Sequence, residues 1–174
     1  GFNGGILVGI DNKIIFEGYK GFENKLKKDS LSSDSRFQIA SVSKQFTAVA
    51  ILQLYEKGLL NLTDSLTKFL PDFPYKGITI HQLLTHRSGL SNYIYFLDKI
   101  TSSKNNPVTN AEVIELWKQN KPLPYYQPGK RFDYSNSGYM VLASVIEKVS
   151  GISYLNYMQE NVFKPLGMNN TFVY

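Results

Sequence analysis

Apolar residues fill one segment of the chain almost without interruption. From Phe46 to Leu54 the sequence reads Phe-Thr-Ala-Val-Ala-Ile-Leu-Gln-Leu, so only a threonine and a glutamine break the run. A helix with apolar residues on all sides usually lies buried inside a domain. We expect it to end at Gly58, because glycine readily adopts the left-handed conformation that closes many helices. The pattern therefore predicts a buried, central helix.

Two short apolar runs near the start of the chain are typical of β-strands. They cover Gly4–Ile10 and Ile14–Gly18, and the polar triplet Asp11–Lys13 separates them. This spacing predicts an antiparallel hairpin over residues 4–20. The polar residues 21–34 are predicted to form a loop. A hairpin alone is marginally stable in water, so we expect further strands or a helix to pack against it.

The rest of the chain has helical patterns. Thr79 and Thr109 are each followed three residues later by Gln or Glu, the spacing of a capping box at the start of a helix. Two further helices are predicted over Gly138–Val149 and Ser153–Phe163. Strands followed by helices indicate an α+β fold. We expect one domain over residues 1–174, with a helical region from 41 to 170.

Composition narrows the possible functions. The chain has 174 residues, 43% of them hydrophobic, a net charge of +5 and no cysteine. It can bury a core, and it can have neither disulfides nor thiol catalysis. The modest charge does not favour nucleic-acid binding, and no apolar run has the length of a transmembrane segment. A signal peptide is not visible, which leaves the localisation open.

Ser41 and Lys44 lie at the start of the predicted central helix. Residues three apart share a helix face, with Cβ atoms about 5–6 Å apart, so the hydroxyl and the amine can meet. A serine is a poor nucleophile until a neighbour takes its proton, and a neutral lysine can do so. The first turn of a helix also has unpaired backbone N–H groups, which can bind an oxyanion. The pair is a candidate nucleophile with its base.

The Ser-x-x-Lys spacing alone is weak evidence. About one copy is expected by chance in a chain of this length. A second copy, Ser65 with Lys68, leads into no long helix, and we interpret it as surface. The simplest alternative for Ser41 is a helix-capping serine beside a solvated lysine.

A second candidate is the polar segment before the predicted helix at Gly138. There Tyr134 can carry a proton, since a neighbouring ammonium lowers the pKa of a phenol. Asn136 can both donate to and accept from an amide of a substrate. The alternative is ordinary hydrogen bonding within a loop. A second Tyr-x-Asn, at Tyr154, lies in an amphipathic helix and is interpreted as core packing.

The two histidines do not indicate a metal or a catalytic triad. His81 and His86 are five residues apart, so they do not share a helix face. No Gly-x-Ser-x-Gly elbow and no phosphate-binding glycine loop is present.

Taken together, these segments resemble the serine β-lactamase and penicillin-binding protein family. The likeness is to its class C branch, with the related D-alanyl-D-alanine carboxypeptidases and esterases. It rests on Ser41 with Lys44, on Tyr134-Ser135-Asn136, on the Leu-Leu-Thr-His-Arg-Ser-Gly-Leu segment from Leu83 to Leu90, and on Val-Phe-Lys-Pro-Leu-Gly-Met from Val162 to Met168. It implies an antiparallel sheet with a helical lobe, of which this chain has the first strands and the helical region.

The resemblance also implies roles for the candidate residues. Ser41 would be acylated, Lys44 and Tyr134 would share the acid and base work, and Asn136 would hold the substrate amide. No cofactor and no metal is needed. The substrate would be a β-lactam, a D-Ala-D-Ala peptide or an ester, outside the cytoplasm, in the periplasm or beyond. The alternative is a non-catalytic module that binds peptidoglycan peptides or a partner.

One family motif is missing. The family has a late strand with Lys or His two residues before Gly, and no such triplet occurs here. The resemblance therefore implies that the chain stops before this motif. We expect a C-terminal remainder or a second chain to complete the sheet and supply the second oxyanion donor. Residues 1–174 alone are expected to be a poor catalyst.

Overall fold

The computed structural model describes residues 1–95 and 108–173. The chain forms two compact units, Gly1–Ala40 and Ser41–Tyr174, and each is described by itself. That residues 1–174 make one domain stays a prediction. Within the described residues, no helix is long and apolar enough to cross a bilayer.

The first unit contains the predicted hairpin. Strand β1 (Gly4–Ile10) pairs antiparallel with β2 (Lys13–Lys20). Asp11 and Asn12 between them have positive φ angles of 47° and 60°. Positive φ at both central residues matches the right-handed twist of paired strands and is favoured by Asn and Asp. The hairpin is thus confirmed, with β2 longer at both ends than predicted.

The predicted loop over residues 21–34 is partly wrong. Strand β3 (Phe22–Asn24) pairs antiparallel with β4 (Asp29–Ser30). The side-chain oxygen of Asn24 accepts hydrogen bonds from the N–H groups of Leu26 and Lys27. This local bonding reverses the chain, so polar residues that predict a loop can still pair as short strands.

The second unit is helical. Its α-helices are α1 (Ser43–Glu56), α2 (Ile80–Leu84), α3 (Asn110–Asn120), α4 (Asn136–Ser150) and α5 (Tyr154–Met158). Short 3-10 turns cover Ala40–Val42 and Leu66–Lys68, and a π-helical turn covers Gln159–Phe163. Helix α4 lies at the centre, in contact with α1, α2, α3 and α5.

The capping boxes at the starts of α2 and α3 are confirmed. Thr79 and Thr109 each accept from the N–H three residues later, and the partner side chain bonds back. Helix α4 starts at Asn136, two residues before the predicted Gly138. The Ser135 hydroxyl accepts from the Gly138 N–H and caps the helix there. The predicted helix from Ser153 to Phe163 instead divides into α5 and the π-helical turn.

Within residues 1–174, helix α1 is buried on one face only, so its burial on all sides stays a prediction for the completed sheet. Ala50, Ile51 and Leu54 are buried on one face, whereas Val49 and Leu52 are exposed, by 42% and 44%. Helix α4 is the buried one, since every residue from Met140 to Ile146 is buried. An apolar sequence makes burial favourable, but whether it occurs depends on the neighbours that cover the helix.

Candidate active site

Ser41 and Lys44 meet at the entry to α1, as their spacing predicts. Ser41 lies in the 3-10 turn before the helix and Lys44 in its first turn. Lys44 Nζ donates to Ser41 Oγ over 3.0 Å. Ala40, just before the serine, has a φ of +44°, a left-handed conformation that is uncommon for a residue with a side chain. Ser41 is exposed, so a substrate can reach its oxygen.

Tyr134 and Asn136 join this pair from a distant part of the chain. The Tyr134 hydroxyl donates to Ser41 Oγ over 2.5 Å. Lys44 Nζ also donates to Asn136 Oδ1 over 2.8 Å and lies 4.8 Å from the centroid of the Tyr134 ring. The structure therefore brings all four predicted residues together, around a serine oxygen that accepts two hydrogen bonds.

His86 supports this arrangement and was not predicted to do so. It follows α2, with a φ of +55°. Its carbonyl accepts the Asp133 N–H over 2.8 Å, and its Nδ1 accepts the Ser135 N–H over 3.1 Å. The sequence pattern around His86 bears only on a metal-ligand or triad role, neither of which it indicates. The one signal in the sequence was its place in the segment from Leu83 to Leu90.

Gly89 in the same segment allows a close approach of the loop that leads to Tyr134. Its carbonyl accepts the Tyr125 N–H over 2.9 Å, and the Arg87 carbonyl accepts the Gly129 N–H over 2.8 Å. The φ of Gly89 is +75°, and a Cβ placed on it would lie 2.1 Å from the Tyr126 carbonyl oxygen. Only glycine fits there without a shift of the backbone.

The electrostatics of the site lower the pKa of Tyr134 and favour a neutral His86. Hydrogen bonding with Lys44, and then with Ser41, lowers the pKa of Tyr134 from its ordinary value of 10.0. Burial, and then the positive charge of Lys44, lowers the pKa of His86 from its ordinary value of 6.5. Tyr134 is thereby better suited to accept a proton near neutral pH.

The other candidates from the sequence do not form a similar site. Ser65 bonds to the Thr67 hydroxyl at 2.9 Å, and Lys68 pairs with Asp64 at 2.7 Å, so this serine and lysine have separate partners. Tyr154 contacts the Thr47 hydroxyl at 2.7 Å and is partly buried. In the part of the chain that the structure describes, no group of three or more His, Asp or Glu could hold a metal ion.

Comparison with known proteins identifies the family. The sequence model of the Beta-lactamase family matches residues 3–174. This chain belongs to the β-lactamase family. The family includes penicillin-binding proteins and other serine acyl hydrolases, so the resemblance seen in the sequence is confirmed.

Two individual relatives support this membership. Penicillin-binding protein 4* of Bacillus subtilis (strain 168) is 38% identical over 174 residues, which are 99% of this chain and 38% of that protein. The crystal structure of a penicillin-binding protein from Bacillus halodurans has a TM-score of 0.87 at 33% identity, covering 99% of this chain and 52% of that one.

A third structural neighbour is named as an amidase. The D-amino acid amidase from Ochrobactrum anthropi SV3 has a TM-score of 0.79 at 26% identity, covering 94% of this chain and 44% of that one. The chain thus spans between about two fifths and a half of the length of these β-lactamase-family relatives. The predicted α+β fold of the β-lactamase/transpeptidase type is confirmed, and the chain has part of it.

Proposed function

We propose that this β-lactamase-family chain carries the nucleophile and the proton carriers of a serine acyl hydrolase that works through an acyl-enzyme. The observation that carries the proposal is the pair of hydrogen bonds on Ser41 Oγ, one from Tyr134 and one from Lys44. A hydroxyl that only caps a helix would bond to backbone N–H groups, whereas this one bonds to two titratable side chains.

In acylation, Tyr134 first loses its proton to solvent, and the phenolate then takes the proton of Ser41 as Oγ attacks the substrate carbonyl. The new C–O bond forms, and the electrons of the carbonyl double bond move to its oxygen. The tetrahedral intermediate then collapses, the bond to the leaving nitrogen or oxygen breaks, and Tyr134 returns the proton to the leaving group. The lowered pKa of Tyr134 supports its choice as the base.

Lys44 supplies the positive charge in this scheme. It donates to Ser41 Oγ and to Asn136 Oδ1, so its nitrogen is held between the nucleophile and the start of α4. Its charge stabilises the Tyr134 phenolate before attack and the charge that develops on Oγ during it. Asn136 fixes Lys44 through its oxygen and can offer its amide N–H groups to a substrate carbonyl.

Deacylation repeats these steps with water. Tyr134 takes a proton from a water molecule that attacks the acyl carbon, the ester bond to Ser41 breaks, and the proton returns to Oγ. The Ser41 N–H would be one oxyanion donor. The second donor, expected on a late strand, is a proposal about the whole protein.

For the substrate we propose a β-lactam, a D-Ala-D-Ala peptide or an ester, met in the periplasm or otherwise outside the cytoplasm. The name of the B. subtilis relative supports a β-lactam, and the amidase neighbour supports an amide of a D-amino acid. All these substrates have an acyl group that can be transferred to a serine.

The test is covalent labelling of the intact protein with a fluorophosphonate and with a labelled penicillin, followed by peptide mass spectrometry. We expect the adduct on Ser41, its loss in Ser41→Ala and its retention in the matched control Ser65→Ala. Labelling of Ser65, or of no serine, would contradict the proposal. An unlabelled protein that still binds a D-Ala-D-Ala peptide would favour the non-catalytic alternative.

A further inference from the structure

His86 is bonded to both neighbours of Tyr134 in the chain. Its carbonyl accepts the N–H of Asp133, and its ring Nδ1 accepts the N–H of Ser135. The backbone on either side of the tyrosine is therefore held by one residue. The φ of +55° at His86 is what lets its carbonyl and its ring bond to the same loop.

The imidazole ring also contacts the phenol ring itself. The centroids of His86 and Tyr134 are 4.7 Å apart, with the ring planes at 35°. Tyr139 lies 5.1 Å from the same imidazole, and its hydroxyl donates to the Leu84 carbonyl at the end of α2. Phe132 also contacts the imidazole in a T-shaped arrangement, with the ring centroids 5.9 Å apart. Such ring contacts limit the tilt of Tyr134, whose hydroxyl must point at Ser41.

We propose that neutral His86 is a positioning residue for Tyr134, and that protonation of His86 releases Tyr134 and stops acylation at low pH. This inference rests on the proposed function above, in which Tyr134 is the base. The physical reason is the hydrogen bond from Ser135. It needs a lone pair on Nδ1, and a protonated imidazole has N–H groups at both nitrogens and no lone pair to offer.

The charges around the ring act in the same direction. Among the described residues, the charged group that shifts the pKa of His86 is Lys44, from α1. Tyr134 and Tyr139 contact the imidazole with their phenol rings. The Asp133 side chain acts on Tyr126. An imidazolium would thus meet a second positive charge. Burial and Lys44 lower the pKa of His86, which keeps the ring neutral at pH 7.

Two substitutions of His86 distinguish the role of its hydrogen-bond acceptor, Nδ1, from the role of its ring. In His86→Asn, an amide oxygen can replace Nδ1 without titrating, and asparagine tolerates a positive φ. In His86→Phe, the ring stays and the acceptor is lost. The other histidine gives a matched control, His81→Asn, because His81 is exposed. Thermal unfolding at pH 7.5 checks that each variant is folded.

The experiment measures the acylation rate constant of Ser41 in the intact protein, with a fluorophosphonate and a chromogenic ester, between pH 4.5 and 9. We expect His86→Phe to lower it on the order of 10²-fold at every pH, because misplacement of a reacting group by about 1 Å costs that much. We expect His86→Asn to lose the acid limb that falls with the protonation of His86, and His81→Asn to behave as the wild type.

The outcomes separate this inference from the proposed function. If the wild type is not acylated at Ser41, the proposed function fails. If it is acylated, but His86→Phe has the wild-type rate or His86→Asn keeps the wild-type acid limb, His86 does not position Tyr134. If a variant unfolds, ¹⁵N NMR of the wild type takes the place of its kinetic measurement. His86 must then have an unprotonated Nδ1 at pH 7.5 and titrate below 6.5; a proton on Nδ1 at pH 7.5 overturns the inference.

Discussion

The close approach at Gly89 allows a prediction with an internal control. Gly89 and Gly151 both have a φ of +75°. A Cβ on Gly89 would lie 2.1 Å from the Tyr126 carbonyl oxygen, whereas a Cβ on Gly151 would have no heavy atom within 4 Å. Alanine at the two positions therefore meets the same backbone strain and very different surroundings.

The expected magnitudes follow from these two terms. The left-handed conformation costs alanine about 1–2 kcal/mol, and the stiffer unfolded chain returns about 0.4–1 kcal/mol of it. Gly151→Ala should therefore lower the free energy of unfolding by about 1 kcal/mol. Forcing extra atoms into a packed site costs about 1–3 kcal/mol more. Gly89→Ala should lose about 2–4 kcal/mol in total.

The assay is urea unfolding of both variants and the wild type, followed by far-UV circular dichroism. Gly89→Ala should also slow the labelling of Ser41, because a displaced Tyr126 shifts the loop that leads to Tyr134, while Gly151→Ala should not. Equal losses of stability in the two variants would refute the reasoning, since backbone strain would then be the whole effect.

Other predictions concern the site and the chain. Lys44→Ala and Tyr134→Phe should each slow acylation by about 10²–10⁴-fold, the usual effect of removing a positioned proton carrier, as measured by stopped flow; a loss below tenfold would contradict the roles given to them. Asn136→Ala should slow the acylation by esters, because Lys44 loses the hydrogen bond that holds it. It should also weaken the binding of amide substrates, measured as a higher KM. An unchanged rate with esters would show that the hydrogen bond to Lys44 is dispensable. Because the pKa of His86 is lowered in the folded state, the unfolded chain binds more protons just below pH 6.5, so stability should fall as the pH drops through that range, and less so in His86→Asn. Residues 1–174 expressed alone should acylate about 10²–10³-fold more slowly than the intact protein, the effect of one missing oxyanion donor; equal rates would place both donors within this chain.

Local signals in the sequence predicted much of the fold. The Asp11-Asn12 turn between two apolar runs predicted the hairpin, and the spacing from Thr79 to Gln82 predicted the cap of α2. Ser41 and Lys44 could be paired because helix geometry alone brings residues three apart together. In each case the physical cause lies within a few residues of its effect.

Features that depend on distant contacts were predicted poorly or not at all. The side chains that cover α1 are not encoded in α1, so the sequence alone could not tell that Val49 and Leu52 lie on its exposed face. The role of His86 depends on its positive φ and on a carbonyl, neither of which its residue type reveals. The meeting of Tyr134 with Ser41 came from the family resemblance, since no rule of local geometry connects them.

The hydrogen bond between Ser41 and Tyr134 joins residues 93 positions apart in the chain. Closing a flexible loop of that length costs about 4 kcal/mol of entropy, and contacts formed within the site alone would have to offset it. The native serine environment should therefore form only after α1, α2 and α4 have packed. During refolding, reactivity of Ser41 should appear late, in step with the slowest change in tertiary structure. The extent of Ser41 acylation by a probe added at intervals would then measure the rate at which the helical unit folds.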